Sequence, residues 1–231
     1  CSEKELDDID FNPPYVLKRA IKEHFFYKTK AKAWRAENRQ QLKELFTLAV
    51  KYTAPGEILI QGLIPGDGQF QYSFCGFFKG GETIGSMVAR RQRQHPHEFG
   101  LPSTFVETVD DPDLEKVYER YLKAMNYYGL VEIEYKLDAK DGLFKLHDVN
   151  PRTWGYHSLG YAAGVDFLYL LFADQLGAPI SRVRGKVGMR WVRLVTDLPS
   201  SLLDIIAGRL AIGEYLHEPS HHEGWVDRSS L

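Results

Sequence analysis

The sequence predicts an α+β fold in which antiparallel hairpins are covered by helices. Three stretches of the 231-residue chain carry this prediction: a hairpin pattern over 69–90, a helical pattern over 112–127 and a second hairpin pattern over 130–150. Strands joined by a short turn pair antiparallel, whereas parallel neighbours need a long crossover connection. We therefore expect mainly antiparallel sheet with helices packed on it.

The helix predicted over 112–127 has signals at both ends. Asp111 is a suitable N-cap, Pro112 suits the first helical position, and Gly129 follows the helix. One stripe of the helix is apolar and is expected to be buried, namely Leu114, Val117, Tyr118, Tyr121, Leu122 and Met125.

A smaller unit is predicted in the first third of the chain. Short strand patterns at 15–18 and 57–61 flank residues 37–53, where apolar side chains recur at helical spacing. The remaining predicted elements are a helix over about 165–176, a strand over 187–196 and a short helix over 199–209.

The first hairpin runs into a cluster of arginines. Its strands are 69–78 and 83–90 around a turn at 79–82, and Arg91 and Arg93 follow. Guanidinium groups at a strand end suit a phosphate or a carboxylate. Two alternatives stay open: a nucleic-acid patch, although interleaved aromatic residues and overall basicity are missing, and a solvated basic loop.

The second hairpin places acidic side chains on one face. Its strands are 130–137 and 143–150, around a turn-rich segment. Pairing centred near residue 141 sets Glu134 opposite Asp148, and Asn150 shares the face of Asp148 because side chains two apart in a strand point the same way. Directly opposite Cβ atoms lie roughly 4.5–5.5 Å apart, so the two carboxylates repel each other.

A hard cation between these groups would remove that repulsion. Two carboxylates and an amide oxygen are donors that Mg²⁺ takes, usually together with substrate phosphates, which makes Glu134, Asp148 and Asn150 a candidate metal site. Arg152 follows the last of them, and its guanidinium suits phosphate binding. The alternative is a solvated hairpin with ordinary surface charges.

Composition narrows the classes of function. The net charge of −2 gives no general bias toward polyanions. No window reaches the ~18 consecutive apolar residues of a membrane span, and no signal peptide opens the sequence. Cys1 and Cys75 are the only cysteines, which favours a reducing compartment. We therefore expect a cytoplasmic protein that binds neither nucleic acid nor a membrane.

The second hairpin and the residues after it resemble a known family. Residues 148–152, Asp-Val-Asn-Pro-Arg, resemble the E-x-N-P-R signature of the ATP-grasp superfamily, and the Glu134 strand resembles the E-F-K-x-D strand that precedes it there. Residues 153–177 are similar to the helical stretch that follows in the carboxylate–amine ligase branch, which is carbamoyl-phosphate-synthase-like. The resemblance covers roughly 13–180 and is most specific in the second half.

The resemblance implies the ATP-grasp fold, with two α+β lobes, mainly antiparallel sheets and the nucleotide between them. It places a linker at 1–12, the small lobe at 13–64, the large lobe with the metal site at 65–180 and a C-terminal extension at 181–231. ATP-grasp enzymes usually carry an α/β domain before this point, and the chain starts with Cys. We therefore expect a fragment that lacks its N-terminal domain.

The resemblance also implies an activity. ATP, with Mg²⁺ or Mn²⁺, would phosphorylate a carboxylate, and an amine would then displace the phosphate to give an amide. The expected partners are a small-molecule carboxylate and amine and the missing N-terminal domain, and a homodimer is left open. Two alternatives remain: a catalytically weak ATP-binding module, suggested by Asp148 in place of the usual Glu, and an ATP-grasp enzyme of another reaction type.

Two nucleotide contacts are implied before residue 60. Lys18 ends a strand like the family's P-h-h-h-K-P strand and would hold the α-phosphate, although Arg19 replaces the proline. The phosphate loop that follows, 21–30, contains no glycine, so its backbone can approach phosphate less freely. Lys30 is a candidate to contribute charge there instead.

Two further parts of the site follow from the resemblance. The adenine hinge corresponds to Gln61 and the backbones of Leu63 and Ile64. A stretch similar to R-x-R-Q-x-P borders the active site in the family, which implies a catalytic role for Arg91 or Arg93. Arg152 would steady the transferred phosphoryl group.

Overall fold

The computed structural model describes residues 4–19, 31, 33–66, 68–94, 103–217 and 225–227. The chain divides into two compact units, Cys1–Pro65 and Gly66–Leu231. Both units combine antiparallel strands with helices, as the sequence predicts. Within the described ranges, no helix is long and apolar enough to cross a membrane.

In its described residues, the first unit contains a three-stranded antiparallel sheet and one α-helix. β1, Tyr15–Arg19, is the central strand, and it pairs with β2, Ala33–Ala36, and β3, Ile58–Gly62. Helix α1, Arg39–Val50, begins at Asn38, whose side chain accepts a hydrogen bond from the Gln41 amide at 2.9 Å. The helix and both predicted strands are confirmed.

The core of this unit lies between the sheet and α1. Tyr15 and Leu17 of β1 and Phe46 of α1 are buried. The segment predicted as a linker, 1–12, contributes where it is described, because Leu6 is buried in the same cluster. Arg39 reinforces that position, since its guanidinium donates to the backbone carbonyls of Leu6, Asp7 and Ile9.

The second unit is built on a large sheet of mainly antiparallel strands. The order of its main path is β11-β10-β6-β5-β4-β7-β8, and β9 pairs with β5. The strands are β4 Gln71–Lys79, β5 Glu82–Gln94, β6 Ser103–Val109, β7 Gly129–Asp138, β8 Leu143–Asn150, β9 Val183–Arg184, β10 Arg190–Val192 and β11 Trp225–Asp227. Both predicted hairpins, β4–β5 and β7–β8, are confirmed.

Five helices accompany this sheet among the described residues: α2 Pro112–Ala124, α3 Ser158–Ala162, α4 Phe167–Gln175, α5 Leu194–Ile206 and α6 Ile212–His217. The predicted N-cap of α2 is present, because Asp111 accepts a hydrogen bond from the Leu114 amide at 2.9 Å. The predicted end at Gly129 is wrong, because the helix stops earlier and Gly129 is the first residue of β7. Its apolar stripe is only partly buried, since Val117 and Met125 are 47% and 55% exposed.

One face of the large sheet packs on α2 through an aromatic core. Tyr118 of α2 stacks on Phe74 of β4 with ring centroids 4.2 Å apart. The Tyr118 hydroxyl accepts from the Phe74 backbone amide and donates to the Ile133 carbonyl, both at 3.2 Å. These bonds tie α2 to two neighbouring strands, β4 and β7.

The opposite face changes from apolar to polar along the strands. On β4 the side chains that share this face are Phe77, Cys75, Ser73 and Gln71 in that order toward the strand's beginning. The apolar end packs in a cluster with Trp154 and with residues of α3 and α4. The polar end lies beside Glu134, which is opposite Ser73. The candidate site is therefore the polar end of a largely buried sheet face.

The segment predicted as a C-terminal extension, 181–231, adds strands to this same sheet. β9 pairs with β5 and β10 pairs with β6. Of the predicted strand at 187–196 only Arg190–Val192 is a strand, and α5 starts at Leu194. Asp197 of α5 is buried, whereas its apolar residues Val195 and Ile206 are 70% and 75% exposed. The buried ion pair of Asp197 with Arg93 sets which side of the helix faces inward.

Tyr118→Phe should destabilise the second unit because it removes two buried hydrogen bonds that tie α2 to β4 and β7. We expect a loss of about 1–3 kcal/mol in the free energy of unfolding, measured by urea denaturation. Tyr161→Phe is the matched control, since Tyr161 is 73% exposed, and it should change stability little. Equal stability of the two variants would contradict the role given to the Tyr118 hydroxyl.

Candidate active site

The site is organised by the hairpin of β7 and β8. Glu134 lies opposite Asp148, as predicted, and Glu132 lies opposite Asn150. Opposite residues of paired strands share a face, so all four polar side chains belong to one side of the sheet. The structure therefore brings together the three predicted metal ligands and adds a carboxylate that the prediction left out.

A bulge at His147 sets this pairing. Near the turn, Asp138 lies opposite Leu143 and Tyr135 lies opposite Leu146. The register then shifts by one residue, and Glu134 lies opposite Asp148. His147 is the extra residue of β8 that the shift absorbs. If the turn's register continued without the bulge, Glu134 would face His147, and Asp148 would point to the opposite side of the sheet.

The Glu134 carboxylate is held by a cation and an amide. Gln71 donates from Nε2 to its Oε2 at 2.9 Å, and the Arg91 guanidinium lies 3.4 Å from its Oε1. Arg91 is 9% exposed and also donates to the side-chain oxygens of Gln71 and Gln94, each at 2.8 Å. A nearly buried guanidinium therefore offsets the negative charge of the first predicted metal ligand.

Asn150 lies between a cation and an anion. Its Oδ1 accepts a hydrogen bond from Arg152 at 3.0 Å, and its Nδ2 donates to Glu132 Oε2 at 3.3 Å. Arg152 also donates to the Thr153 carbonyl at 3.0 Å. The amide oxygen of Asn150 thus faces the positive charge of the Arg152 guanidinium.

Glu132 is the functional residue that sequence reasoning missed. It is 4% exposed and accepts a hydrogen bond from the Tyr156 hydroxyl at 2.6 Å. Burial, reinforced by the charge of Glu134, raises the pKa of Glu132 to about 7. The strand alternation already put Glu132 on the face of Glu134, but its hydrogen-bond partner Tyr156 lies on the loop after β8, which no local pattern places there.

The oxygen donors of this face suit a hard divalent cation that takes its remaining ligands from phosphate. Glu134, Asp148 and Asn150 offer carboxylate and amide oxygens, which suit Mg²⁺ or Mn²⁺. In the ranges that the structure describes, no three His, Cys, Asp or Glu side chains are grouped closely enough to hold a metal by themselves. A set of two carboxylates and one amide therefore leaves further ligands to come from phosphate or water.

Arg93 has a different neighbourhood from Arg91. Its guanidinium binds Asp197 through two hydrogen bonds of 2.9 and 2.8 Å, and it lies 4.6 Å from the ring centroid of Phe105. This ion pair links β5 to α5. Asp197 is 1% exposed, and a buried carboxylate is unfavourable without a cation beside it. The catalytic role of Arg93 stays a prediction, and the geometry gives Arg91 the more direct access to the predicted ligands.

The predicted nucleotide contacts of the first unit lie at or near the ends of its strands. Lys18 is near the end of β1, opposite Ala33 and Leu59, and Gln61 is near the end of β3. The Leu63 backbone amide donates to the Pro14 carbonyl at 2.8 Å. The Leu63 backbone N–H is therefore already hydrogen-bonded, although an adenine contact would need it as a donor. Ile64 is the next residue in the chain. Lys30 lies outside the described residues.

No known protein-family profile and no curated protein sequence matches the chain. Solved structures do resemble it. Biotin carboxylase from Campylobacter jejuni, solved as a complex with β,γ-ATP, superposes with a TM-score of 0.61 at 18% identity, covering 81% of this chain and 42% of that one. The chain thus spans about two fifths of the length of that enzyme.

Two further structures give the same picture. The biotin carboxylase domain dimer of Hydrogenobacter thermophilus 2-oxoglutarate carboxylase, bound to MgADP, ADP and bicarbonate, has a TM-score of 0.59 at 16% identity, over 81% of this chain and 42% of that one. L-amino acid ligase from Bacillus licheniformis has a TM-score of 0.51 at 17% identity, over 74% and 41%. These likenesses show that the chain has the ATP-grasp fold.

Proposed function

We propose that this chain carries the nucleotide and metal site of an ATP-dependent ligase that joins a carboxylate to an amine. The observation that carries the proposal is the sheet face on which Glu134, Asp148 and Asn150 meet, with Arg152 beside them, in a chain of the ATP-grasp fold. In the reaction, ATP would transfer its γ-phosphoryl group to the carboxylate, giving an acyl phosphate and releasing ADP. The amine would then attack that acyl carbon, and phosphate would leave.

The residues of the site suit phosphoryl transfer, which depends on positioning and on neutralising charge. Glu134, Asp148 and Asn150 would hold Mg²⁺ or Mn²⁺, which when bound neutralises the negative charge of the phosphates. Arg152 projects next to these ligands and is exposed, so its guanidinium can reach a transferred group. Arg91 would hold the Glu134 carboxylate in position through their ion pair.

The first unit would supply contacts to the rest of the nucleotide. We assign Lys18 to the α-phosphate, and Gln61 and Ile64 to the adenine edge. The Leu63 amide already donates to Pro14, so we assign only the Leu63 carbonyl to the adenine. These assignments rest on the resemblance and on the places of the residues at or near the strand ends.

An ATP-binding module with little turnover is the second candidate. Asp148 is one methylene shorter than the Glu of the family signature, and the segment 21–30 has no glycine. Retained ATP binding without ADP formation would identify such a module. Analysis of the products separates an amide-forming ligase from an ATP-grasp enzyme of another reaction type.

The proposed ligase also requires substrates and a further domain. Because the chain spans 42% of its biotin carboxylase neighbour, we propose that the complete ligase uses a further N-terminal domain for part of the acceptor site. We propose small-molecule carboxylate and amine substrates, a cytoplasmic location and a homodimer. Light scattering of the 231-residue chain measures the last of these directly.

Glu134→Gln and Asp148→Asn should each weaken binding of Mg·ATP at least roughly tenfold, or about 1.4 kcal/mol, because each removes an anionic ligand from the cation. Isothermal titration calorimetry measures this change, and binding of Mg²⁺ alone should be weak throughout. Asp113→Asn is the matched control, since that carboxylate is exposed and forms a surface ion pair with Lys116. Unchanged Mg·ATP affinity in both site variants would contradict the assignment of the metal site.

Arg91→Met should destabilise the protein without ligand, because it leaves the largely buried Glu134 without its cation. We expect a loss of about 1–3 kcal/mol in the free energy of unfolding. Saturating Mg·ATP should recover much of the lost free energy of unfolding, since the bound cation then neutralises Glu134.

The control for this variant is Arg209→Met, which removes a more exposed ion pair with Asp204 and should cost less than about 1 kcal/mol. Thermal denaturation with and without Mg·ATP gives both quantities. The metal assignment of Glu134 would be contradicted if Mg·ATP stabilised the Arg91→Met variant less than it stabilises the wild-type chain.

A further inference from the structure

We infer that Glu132, held by Tyr156, is a positioning residue that fixes the orientation of the Asn150 amide, so that its oxygen is presented to the metal. The inference rests on the proposed metal site and deepens it. Glu132 does not bind the cation in this account. It acts through the side chain opposite it on the neighbouring strand.

An asparagine is a metal ligand only through its oxygen, and its amide can sit either way round. At Asn150 two neighbours of opposite charge select the same orientation. The Nδ2 end donates to Glu132 Oε2 at 3.3 Å, because a carboxylate oxygen accepts. Arg152 can only donate, so the Oδ1 end faces it, at 3.0 Å.

Of the two neighbours, only Glu132 is fixed in place. Arg152 is exposed, and its guanidinium is proposed to move to phosphate. Glu132 is 4% exposed, and its other oxygen accepts the Tyr156 hydroxyl at 2.6 Å. Tyr156 is itself 5% exposed, and its oxygen lies 3.7 Å from Cys75 Sγ. When Arg152 turns to the nucleotide, Glu132 alone continues to orient the amide.

The cost of burying Glu132 supports a function for it. A buried carboxylate is unfavourable unless it is hydrogen-bonded, and an apolar side chain would fill the position at lower cost. The neighbouring position on the same face of β7, Leu130, is apolar and belongs to the buried cluster that also contains Tyr156. A carboxylate at the boundary of that cluster is explained by the amide that it orients.

The test compares Glu132→Leu in two backgrounds, the natural Asn150 and the Asn150→Asp variant. An aspartate has two equivalent oxygens, so it presents an oxygen whichever way it sits. With Asn150, Glu132→Leu should weaken binding of Mn²⁺ in the presence of ATP by roughly tenfold or more. With aspartate at position 150, the same change should leave affinity equal or higher, because it also removes a repelling carboxylate.

Two further variants separate positioning from folding. Glu132→Gln can still accept from Asn150 Nδ2 and should retain most of the Mn²⁺ affinity. Tyr156→Phe should lower the affinity less than Glu132→Leu does. Mn²⁺ affinity is read by electron paramagnetic resonance at fixed ATP, using the whole 231-residue chain, and circular dichroism verifies that each variant is folded.

The expected result is a loss that appears with Asn150 and disappears with aspartate at position 150. An equal loss in both backgrounds, or no loss with Asn150, would overturn the inference while leaving the metal site standing. If the wild-type chain and the Asn150→Asp variant both failed to bind Mn²⁺ with ATP, the proposed function would fail, and the inference with it.

Discussion

The register between β7 and β8 is the constraint on which the rest of the site depends. Side chains alternate between the faces of a strand, so a slip of one residue would move Asp148 and Asn150 to the opposite side of the sheet. The bulge at His147 absorbs one residue and keeps both opposite Glu134 and Glu132. Asn150 then meets the Arg152 guanidinium, and Glu134 meets Arg91 from the neighbouring part of the sheet.

This arrangement concentrates negative charge that the protein balances only in part. Glu132 and Glu134 lie two residues apart on one face, and Asp148 lies opposite Glu134. Arg91 offsets one of these carboxylates from the buried side, whereas Arg152 on the exposed side contacts the amide of Asn150. The elevated pKa of Glu132 reflects the same crowding together with burial. A divalent cation, carrying phosphates that Arg152 can reach, would complete the balance.

Local patterns predicted what depends on neighbours in sequence. Helix α2 followed from its Asp111 cap, and the opposition of Glu134 and Asp148 followed from counting around the turn. That count succeeded although the bulge itself was not foreseen. The rest depends on distant contacts. Glu132 accepts a hydrogen bond from the loop residue Tyr156, and Arg93 pairs with Asp197, which is 104 residues away. No spacing in the sequence indicates either pair.

The most direct measurement of the central claim is a crystal structure of the chain with Mn²⁺ and a non-hydrolysable ATP analogue, with the cation located by its anomalous scattering. The account predicts a manganese peak within roughly 2.0–2.3 Å of oxygens from Glu134, Asp148 and Asn150, with the remaining ligands from phosphate or water. A bound nucleotide whose cation touches none of these three side chains would contradict it.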